Sequence, residues 1–264
     1  MKDVKIIVTV KQVPDTSEVR IDPKTNSLIR EGIPSILNPE DRNAVEAALC
    51  LRETCGGTVT ALTMGPPQAE ETLEEVLAMG ADRAVLLSDR AFAGSDTLIT
   101  AFTLSRAIMK LGKYDLIICG RQAIDGDTAQ VGPQLAGFLD LPQVTYAEEI
   151  ALEKKSAIIK RGLEDCLEWT RVRLPALITV TAAINQPRYP SLYNIGTACD
   201  GSLLKRWSAK DLNVPGEMLG LHASPTGVKK IFEPDRKAKG QILSGSEKEM
   251  AGQLIEKLKE MQLL

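Results

Sequence analysis

The chain has 264 residues, 44% of them hydrophobic and only 4% aromatic, with 32 basic against 35 acidic side chains and a net charge of -3. That length suits one large α/β domain, or one domain with an appendage, and the apolar content suffices for a real core. Without a basic excess there is nothing to drive binding to a phosphate backbone, and with so few rings base stacking is excluded as a main activity, so no nucleic-acid partner is expected.

The N-terminus leads into an apolar run of five residues, Ile6 to Val10, too short for a signal peptide's apolar region or a membrane span. The expectation is a soluble cytoplasmic protein. Val4–Val10 itself, β-branched and apolar, reads as a central parallel strand. Residues 22–27, Asp-Pro-Lys-Thr-Asn-Ser, read as a turn between two short extended pieces, 19–21 and 28–30. Asn38-Pro39-Glu40-Asp41 is a helix start, with Asn38 able to cap, Pro39 suited to the first position and two acids facing the positive end of the dipole. That helix runs to Arg52 and stops at Gly56-Gly57.

Thr58–Met64 is the second strand, Gly65-Pro66-Pro67 opens a helix that Gly80 closes, and Arg83–Leu87 is the third strand. A helix follows over Thr97–Leu111, then a strand over Tyr114–Cys119 and a helix over Thr128–Leu139. Strand–helix alternation implies a parallel sheet covered on both faces. Beyond Leu141 four strands follow with no long helix between them (144–152, 157–160, 166–172 and 176–181), which predicts antiparallel additions. The fold class expected is a doubly wound, mostly parallel α/β sheet. From Asn185 a long stretch punctuated by proline and glycine reads as an extended arm. Ser246–Leu263 reads as an amphipathic terminal helix, with Met250, Leu254, Leu258 and Met261 at helical spacing and Ser246 with Glu249 as a capping box. The divisions expected are 1–190, 191–240 and 241–264.

The most informative segment is Gly120-Arg121-Gln122-Ala123-Ile124-Asp125-Gly126-Asp127-Thr128-Ala129-Gln130-Val131-Gly132. It lies between a buried strand and a helix start, where backbone N–H groups can converge on a pyrophosphate. It is neither a G-x-G-x-x-G nor a G-x-x-x-x-G-K-[ST] loop. Asp125 and Asp127 could form an acid–base pair or a Mg²⁺ site, but their spacing favours capping or an Asx-turn. In open parallel sheets ligands sit at the carboxyl ends of the strands. That rule adds Thr9, Val10 and Lys11, the cap residues Asn38 and Asp41, and Met64 and Gly65 to one adenine-nucleotide site. Gly94-Ser95-Asp96-Thr97, after the third strand, reads as a helix cap or as a loop touching a flavin or its phosphates. With His222 the only histidine, triads and histidine metal sites are excluded. The five cysteines form no C-x-x-C pair and read as buried small hydrophobes in a reducing compartment. No catalytic side chain and no metal ligand set is expected.

The loop 120–132 resembles the nucleotide loop of the electron transfer flavoprotein β subunit. Val10-Lys11-Gln12-Val13, Asn38-Pro39, Ala78-Met79-Gly80-Ala81-Asp82-Arg83, Gly137-Phe138-Leu139 and Asn185-Gln186-Pro187-Arg188-Tyr189 support the likeness in the same order. One pattern departs: after Glu168, Thr170 stands where an aliphatic residue is usual before Pro175-Ala176-Leu177-Ile178-Thr179. The resemblance implies a heterodimer with an α subunit that carries the electron-transferring FAD in a domain shared with the C-terminal end of β. The terminal helix of this chain would then dock on α. It also implies that Tyr189, Pro190 and Leu192 lie in the loop that plugs into a flavin dehydrogenase, of acyl-CoA or 2-hydroxy acid type. Ordinary members hold structural AMP in the β site; electron-bifurcating ones hold a second FAD there beside an NAD(H) site. Gly94-Ser95-Asp96-Thr97 and Asp125-Gly126-Asp127 look like the second kind, so FAD is favoured with AMP as the alternative. In that kind a hydride enters from NADH and electrons leave singly, to ferredoxin or flavodoxin and to the α-subunit FAD.

Overall fold

The computed structural model describes residues 3–15, 20–21, 28–29, 34–229, 240 and 242–264. The chain divides into two compact units, 1–230 and 231–264, taken separately. The first unit is built on a nine-stranded sheet. Its elements in chain order are β1 (Val4–Thr9), β2 (Gln12–Pro14), β3 (Arg20–Ile21), β4 (Leu28–Ile29), β5 (Ser35–Leu37), α1 (Pro39–Cys55), β6 (Gly57–Met64), α2 (Glu70–Met79), β7 (Arg83–Leu87), α3 (Thr97–Leu111), β8 (Leu116–Gly120), α4 (Val131–Phe138), β9 (Gln143–Leu152), β10 (Ser156–Gly162), β11 (Leu167–Arg173), β12 (Ala176–Val180), α5 (Leu192–Cys199), β13 (Leu204–Trp207) and α6 (Gly220–Ala223).

The sheet order is β11-β10-β9-β12-β8-β1-β6-β7-β13. Strands β9, β12, β8, β1, β6, β7 and β13 pair in parallel, and β10 and β11 add antiparallel pairs at one edge. Every residue of β8 and of β12 is buried, as expected for parallel strands covered on both faces. Alternation along β1 divides the core. Ile6 and Val8 pack with Ala44, Val45 and Leu49 of α1 and Leu73 and Val76 of α2. Ile7, between them, packs in the cluster of Ala101, Leu104 and Ile108 of α3 and Leu135 of α4. The chain steps from β1 to β6 and β7 on one side and returns to β8 on the other. The order therefore reverses between β1 and β8, and in open parallel sheets ligands bind beyond the carboxyl ends of the strands at such a switch.

The structure departs from the sequence expectations at several places. Asn38 stands at the N-cap of α1 but makes no cap bond with its side chain. The helix expected from Thr128 starts at Val131, because Ala129 has φ +52° and cannot belong to a right-handed helix. The extended pieces around 22–27 pair as β3 and β4, Arg20 opposite Ile29 and Ile21 opposite Leu28; the turn itself lies outside the described residues. The stretch read as an arm from 191 instead supplies α5, α6 and β13. Leu204 to Trp207 of β13 pair with Ala84 to Leu87 of β7 and extend the sheet by one parallel strand. Residues 230–239 of that stretch lie outside the described residues. Cys119 is buried as expected, but Cys50, Cys166 and Cys199 are exposed.

In the second unit the described residues form α7 (Glu247–Glu260). Its N-terminus carries the expected capping box, Glu249 Oε2 accepting from the Ser246 amide at 2.8 Å and from its hydroxyl at 2.7 Å. No described helix is long and apolar enough to cross a membrane.

Candidate functional site

The first turn of α1 grips the chain that leaves β8. The Asp41 carboxylate accepts the N–H of Lys11 at 2.9 Å and of Gly120 at 3.1 Å, tying together the exits of β1 and β8. Asn38 bridges the next two links: its Nδ2 donates to the Gln122 carbonyl at 2.9 Å, and its Oδ1 accepts from the Ile124 amide at 3.1 Å. Glu40 takes the Gln122 amide at 3.0 Å and the Arg121 guanidinium at 3.2 Å. Burial pushes the Asp41 carboxyl up to about 7, against the opposing pull of Asn38 and the two amides. Burial likewise pushes the Cys119 thiol up to about 12, so this residue stays a protonated apolar filler beneath the loop.

Beyond Ile124 the loop turns out to solvent. Asp125, Gly126, Asp127 and Thr128 are exposed. Lys11 Nζ sits 2.6 Å from Asp125 Oδ1, and the Asp127 carboxylate accepts from the Gln122 side-chain amide. The two acids are thus engaged by side chains, and neither caps α4, whose N-cap position is Gln130 with no side-chain cap bond. Asp127 and Ala129 both lie in the left-handed region, at φ +50° and +52°. Such conformations cost about 1–2 kcal/mol for a residue with a Cβ and cluster at ligand sites. They keep the chain out of the helix, so the amides just before α4 find no carbonyl. Among the described residues the N–H groups of Thr128, Ala129, Gln130, Val131 and Gly132 have no acceptor within the chain. Arg121 Nε and Gln134 Oε1, on either side of this stretch, are buried polar atoms that also lack partners. Five consecutive free donors at a helix N-terminus suit an anionic diphosphate, so the residues present fit an adenine nucleotide.

A second loop meets this one. Asp96 caps α3 through the Ile99 amide at 3.0 Å, and Thr97 Oγ1 donates to Gln130 Oε1 at 2.9 Å. Gly94, at φ +74°, lies against Leu221; a Cβ there would fall 3.0 Å from the leucine Cβ. The other oxygen of Asp96 accepts the amide and hydroxyl of Thr226, and the Asp96 amide donates to Ser224 Oγ. Partial burial raises the Asp96 pKa, but these donors outweigh it and hold the carboxyl below the usual carboxylate range.

The electron transfer flavoprotein domain model matches residues 25–205. The chain is 53% identical over 253 residues to the electron transfer flavoprotein subunit beta of Thermoanaerobacterium thermosaccharolyticum, covering 96% of this chain and 97% of the relative. It is 52% identical over 262 residues to the caffeyl-CoA reductase-Etf complex subunit CarD of Acetobacterium woodii, covering 98% and 100%. With the acryloyl-CoA reductase electron transfer subunit gamma of Anaerotignum propionicum it shares 46% over 261 residues, covering 96% and 97%.

The chain belongs to the electron transfer flavoprotein β-subunit family.

Within this family member, the site residues expected from sequence fall into groups. The ends of β1 and β8, the start of α1, the start of α3 and loop 120–132 converge through the bonds above. Thr9 and Val10 are buried at the exit of β1, and the Val10 amide donates to the Leu62 carbonyl at 3.0 Å. Asn38 and Asp41 direct their side chains to the loop backbone. Met64 packs at the edge of the apolar cluster beneath α3 and α4, and the Gly65 amide donates to the Leu87 carbonyl at 3.0 Å. No hydrogen bond joins these last two to the loop among the described residues. Segment 189–192 is displayed to solvent: Tyr189 is 93% and Leu192 90% exposed, and Pro190 and Ser191 between them are exposed as well.

Sequence reasoning missed three contributors. Glu40 was read only as a complement to the helix dipole, yet it takes two donors from loop 120–132. Tyr146, at φ +61° where β9 shifts register against β12, places its ring 5.9 Å from the Arg121 guanidinium carbon. Nothing in the local sequence marks that bulge. Arg188 binds Glu46 and Glu53 of α1, a pairing of residues 142 and 135 positions apart that no local pattern reveals.

Proposed function

We propose that the chain is the β subunit of a heterodimer with an electron transfer flavoprotein α subunit and binds FAD at loop 120–132. In this reading it serves electron bifurcation or confurcation between NAD(H), ferredoxin or flavodoxin, and a flavin dehydrogenase. The row of free amides from Thr128 to Gly132 carries this reading. They would hold the diphosphate, Lys11 adds a cation beside it, and Asn38, Glu40 and Asp41 keep the loop backbone in place. Thr97 and Gln130 would line the side from which the second loop approaches. The chemistry such a flavin supplies is two-electron exchange with NAD(H) and one-electron exchange with the other partners.

Three observations support FAD over AMP. A Cβ at Gly126 would meet nothing within 4 Å, so the loop leaves open space where a larger ligand can lie. The 94–97 loop is joined to the nucleotide loop through Thr97. Two relatives bear the names of CoA-ester reductase complexes, caffeyl-CoA and acryloyl-CoA, which also favours a CoA-ester dehydrogenase over a 2-hydroxy acid one. The second reading, structural AMP, draws on the engagement of Ser95 and Asp96 in bonds within the chain. α7 has no buried residue and exposes Leu254 and Ile255, which suits a helix that docks on the α subunit. Anaerobic addition of NADH to the purified heterodimer tests the assignment. Bleaching of the flavin absorbance is expected, and an unchanged spectrum would count against an NAD(H)-linked flavin.

A further inference from the structure

Arg188 makes a dense set of contacts for a residue in a connecting segment. Its Nε donates to Glu46 Oε2 at 2.8 Å and its Nη2 to Glu46 Oε1 at 3.0 Å, a two-pronged grip on one carboxylate. Its backbone N–H donates to the same Glu46 Oε2 at 3.1 Å, and Nη2 also reaches Glu53 Oε2 at 3.1 Å. Glu46 is buried in the middle of α1, 6% exposed. One turn earlier Asn43, also buried, donates to the carbonyl and side-chain oxygens of Asn185, and Asn185 Nδ2 returns a bond to the Asn43 carbonyl at 3.0 Å. A second attachment lies three residues beyond Arg188. The Ser191 amide donates to Ala78 of α2 at 3.3 Å, and its hydroxyl caps α5 through the Asn194 amide at 3.2 Å. Only Tyr189 and Pro190 lie between the two attachments. Leu192 and Tyr193, 90% and 84% exposed, follow at once.

We propose that Arg188 is a positioning residue for partner docking: its fork on Glu46 fixes the stem from which Tyr189, Leu192 and Tyr193 are presented to a flavin dehydrogenase. This rests on the reading of that segment as the docking loop. An exposed apolar anchor whose backbone is already ordered loses less freedom on binding, so rigidity of the stem becomes affinity for the partner. The planar guanidinium is needed because a lysine offers one point charge and cannot grip both oxygens of Glu46 while reaching Glu53.

The test uses the heterodimer with its α subunit, and amide hydrogen exchange read at the bonded amides of Ser191, Asn194 and Ile195. Arg188→Gln should speed exchange there by about tenfold, the size expected for losing a charged hydrogen bond, while β1 and β8 exchange as in the parent protein. Arg188→Lys should recover part of the protection. With a short-chain acyl-CoA dehydrogenase reduced by butyryl-CoA as the probe, Arg188→Gln should raise KM for the heterodimer, leave kcat in place, and add nothing in a Leu192→Ala background. Unchanged exchange at the three amides, or a rise shared by β1 and β8, would overturn the positioning role. Leu192→Ala separates the two claims. It leaves the exchange pattern alone, so an unaltered KM in that variant sinks the docking reading without touching the stem.

Discussion

Asp41 and Gly120 meet in a contact that leaves no room for a side chain on residue 120. The carboxylate accepts the glycine N–H at 3.1 Å, and a Cβ on residue 120 would fall 2.3 Å from the same oxygen and 2.8 Å from the Asp41 amide. Helix α1 therefore rests directly on the end of β8, and the loop that follows inherits its position from that contact.

Gly120→Ala is expected to push the start of α1 off β8 and cost about 1–3 kcal/mol, the usual range for overpacking a tight contact. Gly126→Ala is the paired control, since its added methyl meets nothing within 4 Å. Urea denaturation of the nucleotide-free protein should separate the two, the first variant shifting its midpoint and the second not. Nucleotide retention should fall in both if the open space over Gly126 is where the ligand lies.

Asp127→Ala removes the acceptor of the Gln122 side chain and leaves an alanine at φ +50°. About 1 kcal/mol of loop stability should be lost, since Asp and Asn tolerate the left-handed region better than Ala. Asp127→Asn, which keeps an acceptor and that tolerance, should retain nucleotide nearly as well as the parent. Equilibrium dialysis with FAD and AMP measures both, and equal retention by all three proteins would remove Asp127 from the site.

Two buried carboxylates should respond to pH in opposite senses. The folded pKa of Asp41 is about 7, above its ordinary value of 3.8, so the folded state holds this proton more tightly. Its favourable contribution is complete below about pH 4 and is withdrawn as the pH rises through about 7. Lys11 is the cation beside it, and Glu40 and the Cys119 thiol are the other ionisable groups nearby. Burial raises Glu46 as well, but the Arg188 bonds outweigh that and leave its pKa below the usual carboxylate range. Its contribution is present above the usual carboxylate range and is lost as the pH falls through the lowered value. Asp41→Asn should flatten the pH dependence of stability between about 4 and 7, and Glu46→Gln should flatten it only in acid. Denaturation midpoints measured across that range decide it.

The sheet was legible in the sequence because β8 and β12 are continuous apolar runs between punctuating residues, and a strand buried on both faces needs that pattern. The same alternation is what placed the candidate site at the carboxyl ends of the strands. What stayed hidden was settled by tertiary contacts. Asn38 looks like an N-cap by type and place, but its carboxamide is claimed by the Gln122 carbonyl and the Ile124 amide, more than 80 residues away. Thr128 to Gln130 have ordinary helical chemistry, and only the left-handed backbone at Ala129 keeps them out of α4. β13 is four residues long with Lys205 and Arg206 exposed in its middle, so an edge strand with charged residues looked like an arm.

Leu192→Ala should weaken productive encounter with the dehydrogenase several-fold while the bound cofactors stay in place, as expected for an exposed anchor that is buried only in a complex. Steady-state reduction of the heterodimer at varied dehydrogenase concentration, alongside its flavin spectrum, provides the measurement.

The cofactor content of the purified heterodimer tests the central claim most directly. Acid extraction and chromatographic quantification against protein should give two FAD and no AMP per heterodimer, the second FAD lost when loop 120–132 is disrupted by Gly120→Ala. One FAD with one AMP would contradict the bifurcating assignment, and one FAD with no second adenylate would contradict the role given to the amides of Thr128 to Gly132.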